Sequence, residues 1–321
     1  MGIRKQYEVL SRRGFMTTAV KVAAALALSG GMSTVAATQQ QTQRRLAQPI
    51  QNLGVQLFTL REWLNRDFEG ALRWLADNRY QELEFAGYFG RSADDIRSLM
   101  GELGLRAPSA HISPPEAGGN IDPFKLPPEE MMKLVAQVFA PDQLRRRVEE
   151  SLPMAKALNH KYLVLPILPP SLMQSLNDIK IVAKGIQCAG QLCAQEGLAL
   201  AYHNHDFELQ PLDGEYGTLD ILLQETDDTE LVLELDFYWV VNAGRDPLDY
   251  FARYANRIPC CHIKDRNGNG EIVDPGQGTL ALDSIVAAAR RSGTHHFFVE
   301  HDHTVDPKAT LENAALFLTA P

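Results

Sequence analysis

The chain has 321 residues, of which 45% are hydrophobic, and a formal net charge of −9 at pH 7. An α/β barrel of about 250 residues with insertions accounts for this length as one globular domain. The acidic balance argues against a nucleic-acid partner, whose surface would need clustered Lys and Arg. The four cysteines, Cys188, Cys193, Cys260 and Cys261, show no CxxC zinc spacing, so we expect free, buried thiols.

The N-terminal segment has the pattern of an export signal. Residues 11–16 contain a twin-arginine pair, an apolar run covers 19–28, and small residues at 35–37 suit signal peptidase. The apolar run is too short for a good membrane span, so no stable membrane anchor is expected. We predict a twin-arginine signal peptide over 1–37, use of the twin-arginine export machinery, and a periplasmic or otherwise exported protein. A polar, Gln-rich linker over 38–52 is predicted to precede a catalytic domain over 53–321.

From residue 53 the chain alternates short apolar segments with longer segments of helical spacing. Strands are predicted at 53–57, 82–86, 107–112, 161–167, 198–205, 231–236, 260–264 and 296–302. Helices are predicted at 68–78, 93–103, 144–158, 179–196, 247–255 and 282–292. Eight such units predict parallel strands closed into a single-domain (β/α)8 TIM barrel. An open doubly wound sheet is the competing fold, but its dinucleotide-binding form would need a GxGxxG that the first strand lacks.

A long segment over 114–142 interrupts the third strand–helix unit. It is rich in Pro and Gly and ends in a predicted helix. A connection that follows a strand lies on the C-terminal face of a barrel, where active sites are found. We therefore expect an active-site lid or cover in this segment.

Polar side chains collect at the predicted strand ends, which carry the chemistry in barrel enzymes. Because side chains alternate along a strand, four strands each present a pair on one face: His203 and His205, Glu234 and Asp236, His262 and Lys264, and Glu300 and Asp302. Taken singly, such a His or Glu is more often structural. Burying them together without a cation would cost several kcal/mol for each uncompensated charge. The set therefore predicts one divalent metal ion, Mn, Co, Fe or Zn rather than Ca or Mg.

At these residues the sequence resembles the xylose isomerase-like TIM barrel superfamily, the sugar phosphate isomerases and epimerases. The most specific stretches are Y-H-N-H-D-F at 202–207, E-L-D-F-Y-W at 234–239, H-I-K-D at 262–265 and V-E at 299–300. The resemblance extends over nearly all of the chain from residue 53. It implies metal binding by residues at the ends of strands five to eight, which here are His203, Asp236, His262 and Glu300.

Two positions depart from the family pattern. The strand-five ligand is Glu in family epimerases and His203 here, and a substrate-contacting His found in many members is replaced by Trp239. In the epimerases the two metal-bound glutamates act as an acid/base pair on opposite faces of the sugar, so His203 breaks that pair and leaves Glu300. Fewer anionic ligands make a metal a stronger Lewis acid, which favours a polarised carbonyl and an enediolate.

The remaining polar residues are candidates for catalysis and substrate binding. The candidate catalytic residues are His205, Glu300, Glu234 and Lys264, with Glu84 as a further candidate base. His205 is the first choice, since an unperturbed imidazole pKa of about 6.5 lies near the operating pH; orienting a metal ligand is its alternative role. The candidate substrate-binding residues are Glu84, His111, Trp239 and Arg266. Core packing for Trp239 and a solvated loop charge for Arg266 are the structural alternatives.

The lead prediction is a divalent-metal-dependent isomerase or epimerase that acts on an unphosphorylated sugar or keto-sugar through an enediolate. A metal-dependent lyase performing β-elimination on 3-keto-glycosides is a close alternative, favoured by His203 and by the export signal. A non-catalytic sugar-binding accessory protein is the third hypothesis. A nuclease of the apurinic-endonuclease kind is disfavoured, since it would need more metal ligands and a basic face. The expected partner is a small-molecule carbohydrate, and the sequence leaves open whether the chain forms a homo-oligomer.

Overall fold

The computed structural model describes residues 45–113, 126–214 and 216–319. Eight parallel strands pair in sequence order, and the last pairs with the first, so the sheet closes. The strands are β1 Leu53–Gln56, β2 Tyr80–Ala86, β3 Arg106–His111, β4 Tyr162–Leu165, β5 Ala199–His203, β6 Val232–Asp236, β7 Cys260–Ile263 and β8 His296–Val299. The closed barrel confirms the predicted (β/α)8 fold and excludes the open doubly wound sheet.

Helices connect the strands and bury one apolar side each. They are α1 Arg61–Arg66, α2 Phe68–Asp77, α3 Ala93–Leu103, α4 Pro128–Val138, α5 Leu144–Ala157, α6 Leu176–Gln195, α7 Thr218–Glu225, α8 Phe237–Asn242, α9 Pro247–Arg253, α10 Leu282–Arg291 and α11 Pro307–Leu318. Two small antiparallel sheets lie in the loops, one joining Pro211–Asp213 to Tyr216–Gly217 and the other joining Asp265–Arg266 to Ile272–Val273.

Capping residues in the sequence set several helix ends. The hydroxyl of Ser92 accepts from the backbone N–H of Asp95 at the start of α3, and Ser175 caps α6 through the N–H of Asp178 in the same way. Such side chains satisfy N–H groups that have no partner within the helix. Gly104 ends α3 with a φ of 68°, a left-handed conformation that glycine adopts without steric cost.

Three observed strands end at least two residues earlier than the pattern predicts. β4 ends at Leu165, β5 at His203 and β8 at Val299. The alternating sequence pattern continues past these points, but the pairing between neighbouring strands ends. For example, the last residues paired between β7 and β8 are Ile263 and Val299. His205, Glu300 and Asp302 therefore lie on the loops that follow the strands, at the C-terminal end of the barrel.

Residues 45–52 of the predicted linker contact the barrel. The backbone N–H groups of Leu46 and Ile50 donate to the carbonyls of Phe317 and Leu318, and both side chains are buried. The guanidinium of Arg290 donates to the carbonyls at positions 48 and 49. Two apolar residues four positions apart in a polar stretch therefore hold this segment on the domain. The predicted signal peptide over 1–37 lies outside the described residues.

The four cysteines were expected to be free and buried. All four cysteines are free, and three are buried, but Cys188 is exposed on α6. The expectation of burial is wrong there because the helical period turns Cys188 to solvent.

The predicted lid is described only from residue 126, where α4 and the buried Phe139 pack on the domain. Its role as a lid stays a prediction. Within the described ranges, no helix has the length and apolar character needed to cross a membrane.

Candidate metal centre and active site

Strands β5 to β8 bring together the four residues predicted as metal ligands. His203 and Asp236 are the last residues of β5 and β6, His262 lies in β7, and Glu300 directly follows β8. Asp236 and His262 are register partners, so the pairing of neighbouring strands sets their distance. Potential ligand atoms of all four residues lie within 4.8 Å of one another, and all four side chains are buried. This set is called the upper set below.

A second group of potential ligands shares two imidazoles with the upper set. It consists of His111, His203, Glu234 and His262, again within 4.8 Å of one another, and is called the lower set. Glu234 Oε2 lies 2.9 Å from His111 Nε2, 3.2 Å from His203 Nδ1 and 3.2 Å from His262 Nε2. Three imidazole nitrogens thus converge on a single carboxylate oxygen.

Lys264 pairs with the upper set and with one further carboxylate. Its Nζ is 2.9 Å from Asp236 Oδ2, 2.6 Å from Glu300 Oε2 and 3.2 Å from Asp302 Oδ1. An ammonium group has three N–H donors, and each can reach one of these oxygens. The contacts favour the charged form of Lys264, which argues against its predicted role as a base.

The charges and donors around the upper set fit a divalent cation. Five carboxylates, those of Glu84, Glu234, Asp236, Glu300 and Asp302, lie in this cluster with the ammonium group of Lys264. In the described part of the chain, Glu234 Oε1 is buried and has no hydrogen-bond partner. Two imidazoles with two carboxylates are a donor set that Mn, Fe, Co and Zn accept. A cation here would offset negative charge that is otherwise expensive to bury.

The imidazoles respond to this charge in opposite ways. Burial alone would lower the pKa of His111, but Glu84 and Glu234 outweigh it and raise the pKa to about 9. Burial is likewise outweighed at His262, where Glu234, Glu300 and Glu84 raise the pKa well above its usual value. At His203, burial and the neighbouring charge on His262 lower the pKa well below its usual value. Protons on His111 and His262 can therefore offset part of the carboxylate charge.

His205 lies beside the upper set but does not have the pKa expected of it. Its ring centroid is 5.1 Å from that of His203 and 5.4 Å from that of Trp239. Burial, and then the charge of Lys264, lower the pKa of His205 to about 3. The expectation of a value near 6.5 is wrong, because the ring sits among apolar surface and other cationic groups. A group with so low a pKa is a weak proton acceptor at neutral pH.

The predicted substrate-binding residues occupy different depths. Glu84 is fully buried; Gln56 donates to its Oε1 at 2.6 Å, and Ser109 donates to its other oxygen. Its position supports His262 Nε2, 2.6 Å away, and does not suit contact with a substrate. The side chain of His111 is 12% exposed and bonded to carboxylates, so it too faces the buried cluster.

Trp239 and Arg266 each have one buried donor atom without a partner in the part of the chain that the structure describes. Trp239 lies in the first turn of α8, with Lys264 Nζ 5.6 Å from its ring centroid, so it borders the upper set. Arg266 follows Lys264 by two residues in a small strand. Trp239 Nε1 and Arg266 Nε are buried with no hydrogen-bond partner in the described ranges. Both residues retain the capacity to donate to a bound molecule.

Sequence reasoning missed three supporting residues. Gln56 and Ser109 bond to Glu84, and the position of Ser109 two residues before His111 on β3 is a signal that could have placed it inside the barrel. Glu208 accepts from the hydroxyl of Tyr202 at 2.6 Å and from the backbone N–H of His205 at 2.9 Å. It lies in a short loop helix after β5, where no periodic pattern marks it.

Comparisons with known proteins agree with this barrel. A family model described as "Xylose isomerase-like TIM barrel" matches residues 72–320. Inosose dehydratase from Clostridium perfringens is 29% identical over 100 residues, which cover 31% of this chain and 33% of that protein. Inosose dehydratase from Clostridium beijerinckii is 32% identical over 87 residues, covering 27% and 28%. The match therefore spans at most about a third of the length of these curated relatives.

Among solved structures, a sugar phosphate isomerase/epimerase from Parabacteroides distasonis superposes with a TM-score of 0.70 at 25% identity, covering 84% of this chain and 97% of that one. The IOLI protein with a bound zinc atom superposes with a TM-score of 0.60 at 16% identity, covering 83% and 96%. The second likeness shows the fold alone. Because the family model spans well over half of the sequence and the barrel is closed as that description requires, the chain belongs to the xylose isomerase-like TIM barrel family.

Proposed function

We propose that the protein is a divalent-metal-dependent isomerase or epimerase that acts on an unphosphorylated sugar or keto-sugar through an enediolate. The observation that carries this proposal is the upper set of buried ligands, His203, Asp236, His262 and Glu300, in a cluster where carboxylates outnumber ammonium groups. These residues would hold one Mn, Co, Fe or Zn ion. When bound, such an ion polarises a carbonyl group and makes the adjacent C–H bond more acidic.

Glu300 is the proposed proton carrier. It lies on the loop after β8, at the C-terminal end of the barrel, and its side chain remains 6% exposed. Lys264 contacts Glu300 at 2.6 Å and also contacts Asp236 and Asp302, so it holds the carboxylates in place. Trp239 and Arg266, whose Nε1 and Nε atoms have no hydrogen-bond partner among the described residues, are the proposed sugar contacts.

A single carboxylate carrier favours isomerisation over epimerisation. Inverting a carbon requires a proton to leave from one face and to return on the other, so two groups are needed. Moving a carbonyl to the next carbon requires one group to carry a proton between the two carbons along a single face, while the proton of the hydroxyl group passes to the former carbonyl oxygen. His203 stands where the second glutamate is expected, and its ring nitrogens face Asp236 and Glu234. It therefore does not supply a second carrier.

Elimination is the second candidate function. The curated relatives named inosose dehydratase support it, since a dehydratase removes water. Elimination from a 3-keto-glycoside also needs only one such group: it removes the proton next to the carbonyl, the bond from the β carbon to the aglycone oxygen breaks, and that oxygen takes up the proton. Both candidates share the removal of a proton next to a carbonyl and differ in what the enediolate does next.

We also propose that the protein is exported through the twin-arginine route. The support is the sequence over residues 11–37, with its Arg12–Arg13 pair. An unphosphorylated carbohydrate substrate fits this location, because sugar phosphates are mainly intracellular metabolites. Fractionation of expressing cells tests the location, and recovery only from the cytoplasm would contradict it.

The metal content of the purified protein tests the site. We expect about one Mn, Fe, Co or Zn ion per native chain and little in a His203→Ala/Glu300→Ala double variant, since two of four ligands are removed. His296→Ala is the matched control: His296 also pairs with a carboxylate, Glu82 at 2.8 Å, but it begins β8 at the opposite end of the barrel. The control should bind metal as the native chain does.

Proton exchange tests the chemistry. Keto-sugars and 3-keto-glycosides incubated with the metal-loaded protein in D2O should gain deuterium next to the carbonyl, as followed by NMR. A shifted carbonyl indicates isomerisation, an inverted centre indicates epimerisation, and release of the aglycone indicates elimination. Ligand binding without exchange or product would favour the accessory sugar-binding protein instead.

A further inference from the structure

The upper and lower sets use opposite nitrogens of the same two imidazoles. His203 Nε2 faces Asp236 at 4.0 Å, whereas His203 Nδ1 faces Glu234 at 3.2 Å. His262 Nδ1 faces Glu300 at 2.9 Å, whereas His262 Nε2 faces Glu84 at 2.6 Å and Glu234 at 3.2 Å. Each ring therefore has one nitrogen toward the upper set and one toward the buried carboxylates below.

This sharing limits how many cations the cluster can hold. A neutral imidazole has one nitrogen with a lone pair and one that carries a proton, so it binds a cation through one side only. If the upper nitrogens bind, the lower nitrogens carry protons and need acceptors. Glu234 Oε2 and Glu84 Oε1 lie where those acceptors must be.

We propose that Glu234 is the positioning residue of the metal centre: it accepts the lower N–H of His203 and, together with Glu84, that of His262, and so limits the cluster to one cation in the upper set. This inference rests on the proposed function, since it assumes that a metal is bound. It assigns opposite tautomers to the two ligands. His203 binds through Nε2 and keeps its proton on Nδ1, while His262 binds through Nδ1 and keeps its proton on Nε2.

The surroundings of Glu234 support positioning over direct catalysis. Its side chain is fully buried, which places it out of reach of a substrate at the barrel end. His203 is its register partner on β5, so pairing of β5 and β6 fixes the contact. His111 Nε2, at 2.9 Å from the same oxygen, adds a third donor and holds the carboxylate in place. Carboxylates that orient ligating histidines in this way tune metal affinity.

Cobalt titration of the apo-protein tests the proposal through affinity and the visible absorption of Co²⁺. We expect one Co²⁺ per native chain. Glu234→Gln keeps the shape but removes the charge, and it should weaken binding about 10–100-fold while the absorption bands keep their positions. Asp236→Asn removes a ligand and should change the bands or abolish binding. Glu82→Gln, which changes a buried carboxylate beside His296 at the opposite end of the barrel, is the control and should bind as the native chain does.

Ring tautomers give a readout that a general loss of stability would not change. In the Zn²⁺-loaded protein with ¹⁵N-labelled histidine, long-range ¹H–¹⁵N spectra should show the Nδ1–H form of His203 and the Nε2–H form of His262. The same tautomer at both rings would overturn the proposal.

Three binding results would also overturn the proposal. Two Co²⁺ ions per chain would contradict the limit to one cation. Unchanged affinity in Glu234→Gln would contradict the positioning role. Loss of binding in both Glu234→Gln and His111→Ala, with binding kept in Asp236→Asn, would place the cation in the lower set. A native chain that binds no metal would overturn the proposed function together with this inference, whereas the other results leave the metal dependence intact.

Discussion

Glu208 is a buried carboxylate outside the upper and lower sets. Burial is the main cause that raises its pKa to about 8, although Tyr202 and the N–H of His205 donate to it and oppose that rise. A carboxyl group whose pKa is higher in the fold than in the unfolded chain favours the folded state when it is protonated. As the pH rises from about 4.5 through about 8, the fold must accept a buried charge and loses stability.

Replacing Glu208 with Gln should remove this loss. We expect Glu208→Gln to unfold at the same urea concentration as the native chain, or a lower one, near pH 5, and at a relatively higher one near pH 9. Urea unfolding across this pH range measures the difference in unfolding free energy. A difference between the two proteins that stays constant with pH would contradict the raised pKa of Glu208.

At the scale of residues, the sequence predicted the positions of the candidate metal ligands better than it predicted the pKa values of the histidines. Alternation along predicted strands placed His203, Asp236 and His262 on the inner face, and the structure brings them together with Glu300. The pKa of His205 could not be read in the same way, because it depends on burial and on Lys264, a residue 59 positions away that the fold brings near. Contacts of this kind exist only after the barrel closes.

At the scale of elements, glycines in two helices face different surroundings. Gly190 lies within α6, where an added Cβ would overlap the carbonyl oxygen of Glu230. Gly101 lies within α3, where an added Cβ would meet nothing within 4 Å. The first glycine therefore permits close packing of a helix on the loop before β6, and the second has no such role.

Alanine substitutions should separate these two roles. Gly101→Ala should raise the unfolding free energy by about 0.5–1 kcal/mol, because alanine favours the helix. Gly190→Ala gains the same propensity but forces the backbone apart, so it should lower the unfolding free energy by about 1–3 kcal/mol. Urea unfolding of both variants makes the comparison. Stabilisation of both would show that α6 can shift away from Glu230 without cost.

The elements themselves were largely predictable, but their ends were not. The eight predicted strands each overlap an observed strand, since buried parallel strands and amphipathic helices leave clear apolar patterns. The strand ends were overextended at β5 and β8, because a polar residue that faces the barrel interior has the same alternation as one in the loop above it. The short helix α8, capped by Asp236, was not predicted, because the predicted strand ended at residue 236 and no element was assigned to the residues that follow.

At the scale of the whole molecule, the count of eight strand–helix units predicted the closed barrel. The sequence did not predict that the segment before β1 packs on that barrel. Leu46 and Ile50 are 5% and 3% exposed and bond to the backbone near the end of α11. A polar, Gln-rich composition predicted a linker over 38–52, and it gave no sign of these contacts. The average composition of a segment does not show that two apolar residues within it can pack on the neighbouring domain.

This attachment predicts a difference between two shortened chains. A chain that begins at Arg45 keeps the contacts of Leu46 and Ile50, whereas one that begins at Leu53 loses them. The second should be less stable by on the order of 2–5 kcal/mol, from two buried side chains and their hydrogen bonds. Thermal and urea unfolding of the pair provide the measurement, and equal stability would show that the attachment contributes little.

The register pair of His203 and Glu234 has a wider consequence for charge in this barrel. By its resemblance to the epimerases, the strand-five position calls for a glutamate; here it is an imidazole, and a carboxylate on the neighbouring strand lies 3.2 Å from that ring. The carboxylate that pairs with this ring thus lies one strand away, on the side of the imidazole opposite Asp236. If the upper set holds an ion, the charge of Glu234 acts on that ion through the imidazoles of His203 and His262 and not as a direct ligand. Exchanging an imidazole and a carboxylate between two neighbouring strands changes the charge of the ligands at such a centre, and so its reactivity, while the total charge of the barrel stays constant.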